Sequence, residues 1–497
     1  MRRRGSDRRH RVQQIGKSGF QQVFSGEERG KGGALARSPA SRRAAGGHSG
    51  FAARVGRGFA GGQMQPIDPG ALRRHLQFLT ESIGVRLAGS PGEAAAADYV
   101  AREFAAAGAN VSREPFPVQH RDVREQQLQV HFDGAWHDAG CSLLANAPGT
   151  DGAWVEAPLV FFEAATGYQH PDLRAELRGK IVLHLGCHIE SREHYGRLIA
   201  AQPAGVLMVD VRYPGASPLA DAIFPAYAAA CGVVTALNVA YLDAWRWRER
   251  GATRARFRVV GGPQVAESAN IIAELPGADP AAGVLFLGGH HDTQADSVGA
   301  DDNGSATVGL IELVRVLAPL PRRRTIRLIS FGAEEQLSVG SGAYVRRHRA
   351  ELVRDGRYMF NFDSFGSLLG WNTLSGSGPR ELDALLPAYF ARHGQYCRRE
   401  MGVLPYADHF PFVAAGVPAL TLMRQNCAAG RFFHHRPDDD LSRVDVQVMA
   451  ASLNAVAAFI ADMAAIETLP FSASIPAEEQ AAVAHCWEDL FGGWEQK

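Results

Sequence analysis

No run of this 497-residue chain is apolar for long enough to span a bilayer, and no apolar h-region follows Met1 or Met64. On the first absence no transmembrane helix is expected, and the second leaves export by a standard signal unsupported. A cytoplasmic protein with no membrane partner is expected, other routes of secretion being left open. Cysteine is scarce: there are six, with no C-x-x-C pair and no regular spacing. A disulfide framework is therefore not expected, and most of the cysteines read as reduced thiols. Net charge is missing too, at +0, but the zero hides an asymmetry. Residues 1–63 hold 14 Lys and Arg against 3 Asp and Glu, a net +11, so the remainder carries −11. This basic leader is rich in Gly, Arg and Ser, lacks periodicity and should be disordered. A nucleic-acid arm or a transit peptide would be basic as well, but its Gln and Glu serve neither, and no nucleic-acid partner is expected. The preferred reading is that translation starts at Met64 and that the leader is a gene-start artefact.

What remains is ordinary in bulk, with 46% hydrophobic and 21% charged residues, and long enough for more than one domain. Its chemistry lies in a few local settings. VLFLGGHHD, Val284 to Asp292, is an apolar run ending in polar residues, the pattern of a buried strand opening at its C-terminal edge. Alternation puts His290 and Asp292 on one face and His291 on the other. His290 is the candidate metal ligand, and Asp292 is placed to orient its imidazole. His291 reads as a packed or solvated histidine.

Asp302 sits in GADDNGS, just before a helix whose Leu310, Leu313, Val314 and Leu317 form one apolar face. An acid there is usually an N-cap. Asn303 or Ser305 can cap instead, which frees Asp302 to bridge two ions, with Asp301 as the fallback. TIRLISFGAEEQ is a second apolar strand running into acids. Adjacent side chains diverge, so Glu335 can bind metal while Glu334 reaches the activated water as a base. YMFNFDSFG ends a third strand in Asp363, and FHHRPDDD supplies His434 or His435, between which spacing and period do not choose. Two His and three carboxylates form a hard N/O ligand set suited to a pair of divalent ions, zinc first among them.

Together these motifs resemble the M28 metallopeptidases, the zinc aminopeptidase family, whose pattern reads roughly H-x-D, G-A-D-D-N, G-A-E-E, N-x-D and H-[TS]-P-x-D. They stand here as His290 to Asp292, Gly299 to Asn303, Gly332 to Glu335, Asn361 to Asp363, and His435 to Asp439. The resemblance implies two zinc ions, one held by His290 and Asp363, the other by Glu335 and His435, with Asp302 between them and Glu334 as general base. It also selects His435 over His434. Two departures are Arg436, where the family has Thr or Ser, and Ala407 before Asp408 and His409, where it has Ser. Asp408, His409 and Arg436 are accordingly expected on the substrate side. Phe410, Phe412, Met423 and Phe432 suit a pocket wall and ordinary core equally.

The resemblance covers roughly residues 66–119 and 267–466, beginning with a helix at Leu72, Leu76, Leu79 and Ile83, capped by Asp68 with Pro69 at its first position. It implies an α/β fold: a mixed, mostly parallel sheet flanked by helices, of the zinc aminopeptidase (phosphorylase/hydrolase-like) type. Catalytic segments 64–119 and 267–470 would be split by a β-rich inserted domain at 120–266. There PLVFFEA, KIVLHLG and AGVLMVD read as short strands, with a helix from Arg192 to Ala201, and look like a protease-associated domain covering the active-site mouth. Cys187, His188 and Glu190 suggest a second metal site on paper, without a matching cluster. In 471–497 a short helix with Trp487, Leu490 and Phe491 on one side would dock on the body or on a second subunit, which leaves a homo-oligomer open.

The function implied is a metal-dependent aminopeptidase acting on peptides or small amides, in which Glu334 takes a proton from water and passes it to the leaving amine. Two rival readings belong to other classes: a glutaminyl-cyclase-like acyltransferase would need one zinc, and a receptor-like relative would have lost its metals. An M20-type carboxypeptidase or deacylase has similar ligands, but the GADDN loop fits M28 better.

Overall fold

The computed structural model describes residues 64–495 apart from 187, 188, 190, 401 and 427–431. The expectations for the leader and for Cys187, His188 and Glu190 therefore fall outside the described residues.

The strands of the first half are β1 (Asn110–Phe132), β2 (Ala135–Ala139), β3 (Cys141–Leu143), β4 (Val155–Glu163), β5 (Ile181–Gly186), β6 (Gly205–Asp210) and β7 (Ala236–Val239). Those of the second are β8 (Arg254–Leu275), β9 (Val284–His290), β10 (Thr325–Phe331), β11 (Gly356–Phe362), β12 (Trp371–Ser377), β13 (Cys397–Glu400) and β14 (Ala419–Gln425). They join in the order β13-β12-β14-β11-β9-β10-β8-β4-β5-β6-β7-β3, with β1 on β8 and β2 on β1. The centre is parallel, β10, β9, β11 and β14 all running the same way, while β8 and β12 flank it antiparallel. Every residue of Val284–His290 is buried, which is why the strand reads as a continuous apolar run: helices cover both faces of a parallel sheet.

Register places the chemistry. His290 pairs with Phe331, and Gly288 with Asn361, so the three strands end within a few residues of one another. The loops after them therefore open at one carboxyl edge, where α/β sheets gather ligands.

Helix Ser305–Leu317 carries the expected Leu310, Leu313, Val314 and Leu317, all buried. It packs on helix Val446–Ala465, which also meets helices Pro69–Gln77 and Glu381–Arg392. Contrary to the sequence reading, one helix among the described residues, Val446–Ala465, is long and apolar enough to cross a membrane by length and composition; 72% of that stretch is buried inside the fold, where a core helix needs the same apolar composition. Pro69–Gln77 starts as read, Asp68 accepting from Gly70 N.

Two departures concern residues 120–266. The region is not simply β-rich: β4, β5, β6 and β7 are parallel, and helices Arg192–Ala200, Pro225–Cys231 and Tyr241–Glu249 lie between or beside them. Parallel strands require crossovers, and helices supply them. Nor do the borders at 119 and 266 mark a break. β1 and β8 pair antiparallel from Asn110 with Glu274 to His131 with Arg254, crossing both borders as one ribbon with a single bulge near Val123. The C-terminal helix, Gln480–Phe491, buries Val483, Trp487, Leu490 and Phe491 against the body. It touches helix His409–Ala414 on one side and Pro225–Cys231 on the other.

Candidate metal centre

Five loops meet at the carboxyl edge of the sheet. His290 is the last residue of β9, Asp302 lies in the turn Ala300–Gly304, Glu334 and Glu335 form a helical turn after β10, Asp363 follows β11, and His435 lies in the loop after β14. One ligand atom each from His290, Asp302 and Glu335 lies within 4.8 Å of the others, and Asp302, His434 and His435 make a second such trio. Asp302 belongs to both. Its Oδ1 is 3.4 Å from His290 Nε2, and its Oδ2 is 3.7 Å from His435 Nε2 and 3.2 Å from His434 Nδ1. Glu335 Oε2 meets His435 Nε2 at 2.9 Å. Asp363 stands beside these trios and outside both; Ser364 Oγ donates to its Oδ1 at 3.2 Å. Asp301, the fallback bridge, instead accepts from Gly366 N at 2.8 Å, and Asn303 accepts from Ala306 N as the cap.

The residues present fit divalent ions. His290 Nε2 and Glu335 Oε1 are buried without a hydrogen bond, each aimed among carboxylate and imidazole donors. A buried polar atom left so is costly unless a cation completes its surroundings.

Electrostatics point the same way. Burial lowers the His290 imidazole, but Glu334, Asp292 and Asp302 outweigh it and hold the group well above the ordinary histidine range. His435 is likewise pulled down by burial and then raised, to about 9, chiefly by Glu335 and Asp302. Burial pushes Glu334 well above the usual carboxylate range; His290 opposes this, while Asp408, Asp363 and Glu335 add to it. This many acids, desolvated together, demand compensating positive charge.

The supports explain the convergence. Asp292 accepts from Glu334 N at 3.0 Å and Glu335 N at 3.1 Å, while its Oδ1 lies 3.4 Å from His290 Nδ1. It thus lies against the imidazole and also holds the backbone of both glutamates. His291 turns to the opposite face and meets Ser330 Oγ at 3.0 Å, with burial lowering its pKa to about 4.

Three further residues were not foreseen. Asp439 accepts from Asp301 N and Asp302 N, both at 2.9 Å. Glu93 accepts from Gly89 N, Ser268 Oγ and Ala333 N, the last residue being held at φ 52 just before Glu334. Arg86, fully buried, donates to the carbonyls of Gly84, His291, Val298 and Gly299. A lone Arg in VRLAGSPG was the available signal, since a buried guanidinium must find several acceptors.

The three substrate-side candidates divide. Asp408 is buried at the centre: its charge acts on Glu334, and burial pushes its own carboxyl up to about 7. His409 does not face the site. Its ring packs against Gly376, where a Cβ would lie 2.8 Å away, and burial lowers it to about 3. Consecutive residues at a helix start point in divergent directions, and here His409 takes the core side. Arg436 donates to the backbone carbonyls of Tyr213 at 2.8 Å and Phe432 at 3.3 Å. Phe410 and Phe412 are core, and Phe432 is 46% exposed.

Residues 270–460 match Peptidase family M28. The chain is similar to Aminopeptidase YwaD of Bacillus subtilis (strain 168), 24% identical over 424 residues that cover 84% of this chain and 89% of that one. It is also similar to Carboxypeptidase Q of Pongo abelii, 25% identical over 428 residues, with 80% and 86% covered. A solved zinc aminopeptidase from Bacillus subtilis shares the fold, with a TM-score of 0.66 at 20% identity, over 84% of this chain and 100% of that one.

Proposed function

Because residues 270–460 match peptidase family M28, we propose that this chain is a zinc-dependent aminopeptidase of that family in which His290, Asp302, Glu335, Asp363 and His435 hold two ions and Glu334 is the general base. It is a hydrolase of peptide bonds. The observation that carries the ligand assignment is the double reach of Asp302, one oxygen toward His290 and the other toward His435. Zinc held there would supply an acidified water and polarise the substrate carbonyl.

The side chains do the rest. Glu334, 14% exposed and within 3.7 Å of His290, takes the proton of the attacking water and returns it to the leaving amine. Ser338 Oγ donates to Glu334 Oε1 at 3.0 Å, leaving Oε2 turned toward His290 for proton transfer. Asp292 holds both glutamates and the imidazole in one geometry.

Aminopeptidase specificity follows from charge. The site is acidic, with Asp302, Glu334, Glu335, Asp363 and Asp408 around it, and suits a substrate ammonium. A C-terminal carboxylate would need a cation instead. Among the described residues, the guanidinium groups of Arg86, Arg424 and Arg436 all make hydrogen bonds to backbone carbonyls or to Asn372. The region 120–266 is read as a protease-associated-like module over the mouth. A panel of aminoacyl-anilides with free and acetylated amines, with and without chelator, tests the reading. Hydrolysis only of free-amine substrates, abolished by chelator and restored by zinc, is expected. Equal turnover of acetylated substrates would refute the aminopeptidase assignment.

The Glu334→Gln variant is expected to keep its metal and lose about 10²- to 10⁴-fold in kcat, the usual weight of general acid–base catalysis. Full activity with metal retained would remove Glu334 from its role.

A further inference from the structure

Residues 211–222, which follow β6, run directly onto the loop of His434 and His435. The Ala220 N–H donates to the His435 carbonyl at 3.1 Å. Arg436 donates to the Tyr213 carbonyl at 2.8 Å, and its guanidinium lies so close over Gly215 that a Cβ there would be 2.8 Å from both terminal nitrogens. The Tyr213 ring stacks on His434 at 4.9 Å, and His434 stacks on His435 at 3.4 Å. The segment is tied back in turn, Leu242 N donating to Gly215 O at 3.1 Å.

His435 needs such an external hold. Its φ is 55, a left-handed backbone that a residue with a side chain holds only where its surroundings impose it. The two halves of the centre differ here. His290 is fixed from within the main sheet, by Asp292 and by Thr307 Oγ1, which donates to its carbonyl at 2.8 Å. His435 takes a comparable carbonyl bond from residue 220, which lies outside the residues matching the family.

We propose that Tyr213, Gly215, Ala220 and Arg436 form a latch through which the 120–266 region positions His435, so that one half of the metal centre depends on that region and the other does not. The inference rests on His435 being a ligand, as proposed above. These are positioning residues; Arg436, expected at the substrate pocket, is the main tie.

The test is zinc titration of the full chain, stripped with chelator, against a competing chromophoric chelator that resolves two dissociation constants. Arg436→Thr and Ala220→Pro should each weaken one constant by about 10–100-fold, the usual effect of losing a group that orients a ligand, and leave the other unchanged. His435→Ala should weaken the same constant. If His435→Ala does so and the latch variants change neither constant, or both equally, the latch is overturned. If His435→Ala itself changes neither, the ligand assignment fails instead. Tyr213→Ala, which removes a half-buried ring and no backbone bond, keeps the question answerable should either variant fail to fold. Trp245→Ala, on the exposed face of helix Tyr241–Glu249, should leave both constants alone.

Discussion

Asp292 shows what one buried carboxylate can decide. It accepts two backbone N–H groups from the Glu334–Glu335 turn and faces the His290 ring, so it couples a base and two candidate ligands from different strands. Asp292→Asn keeps the size but offers one acceptor oxygen where two are used. Zinc affinity should fall by about 10–100-fold with little change in substrate KM. Metal titration beside steady-state kinetics separates the two, and a variant with wild-type affinity would show that the turn holds itself. At this scale the sequence was legible wherever a strand carried the residue. Alternation alone put His290 and His291 on opposite faces. It was silent on Arg86, Glu93 and Asp439, because most of their acceptors and donors lie roughly a hundred or more positions away, where no local period reaches.

Among elements, the C-terminal helix is the most exposed to test. Trp487 is 2% exposed, stacks on Phe491 at 5.0 Å and lies under the Arg346 guanidinium at 4.7 Å. Asp489 accepts from Tyr227 OH at 2.8 Å, and Arg346 donates to Phe491 O at 2.7 Å. The helix therefore ties the main sheet to the 120–266 region. Trp487→Ala should cost about 3–5 kcal/mol, the usual range for an aromatic removed from a packed site, read by denaturant unfolding. A loss under about 1 kcal/mol would show that the contact is superficial, since surface changes stay within roughly that range. The helix and its apolar side were readable from spacing; that it packs on this same chain depended on a complementary surface built from distant segments. The ribbon of β1 and β8 was hidden for a related reason. Its outer part alternates polar residues, so no composition change marks where one layer ends and the next begins.

The whole molecule must keep several histidines neutral to stay folded. In the 120–266 region His184 is buried, with Tyr168 OH on its Nε2 at 3.1 Å, and burial lowers its pKa to about 4 from 6.5. His409 in the main sheet layer is lowered to about 3. The unfolded chain binds these protons first as pH falls. Stability is therefore full above about 6.5, declines between 6.5 and 4, and has lost the His184 contribution below that. For His184 the loss is on the order of 3 kcal/mol. His184→Leu should flatten the slope of unfolding free energy against pH in this window, relative to the parent chain, with both measured in chelator so that metal release does not enter. An unchanged slope would show that His184 takes up its proton without cost to the fold.

The sequence by itself determined the catalytic layer: three apolar strands, each ending in its own His or acid, specify both a parallel sheet and the residues at its carboxyl edge. Those are local facts, because strand period and chain direction fix where a terminal side chain emerges. Only tertiary structure decided that Asp302 lies between the two histidine sides, that His409 turns into the core while Asp408 faces the site, and that Arg436 grips Tyr213. Each depends on the packing of segments remote in sequence, where close approach and burial select one neighbour among many.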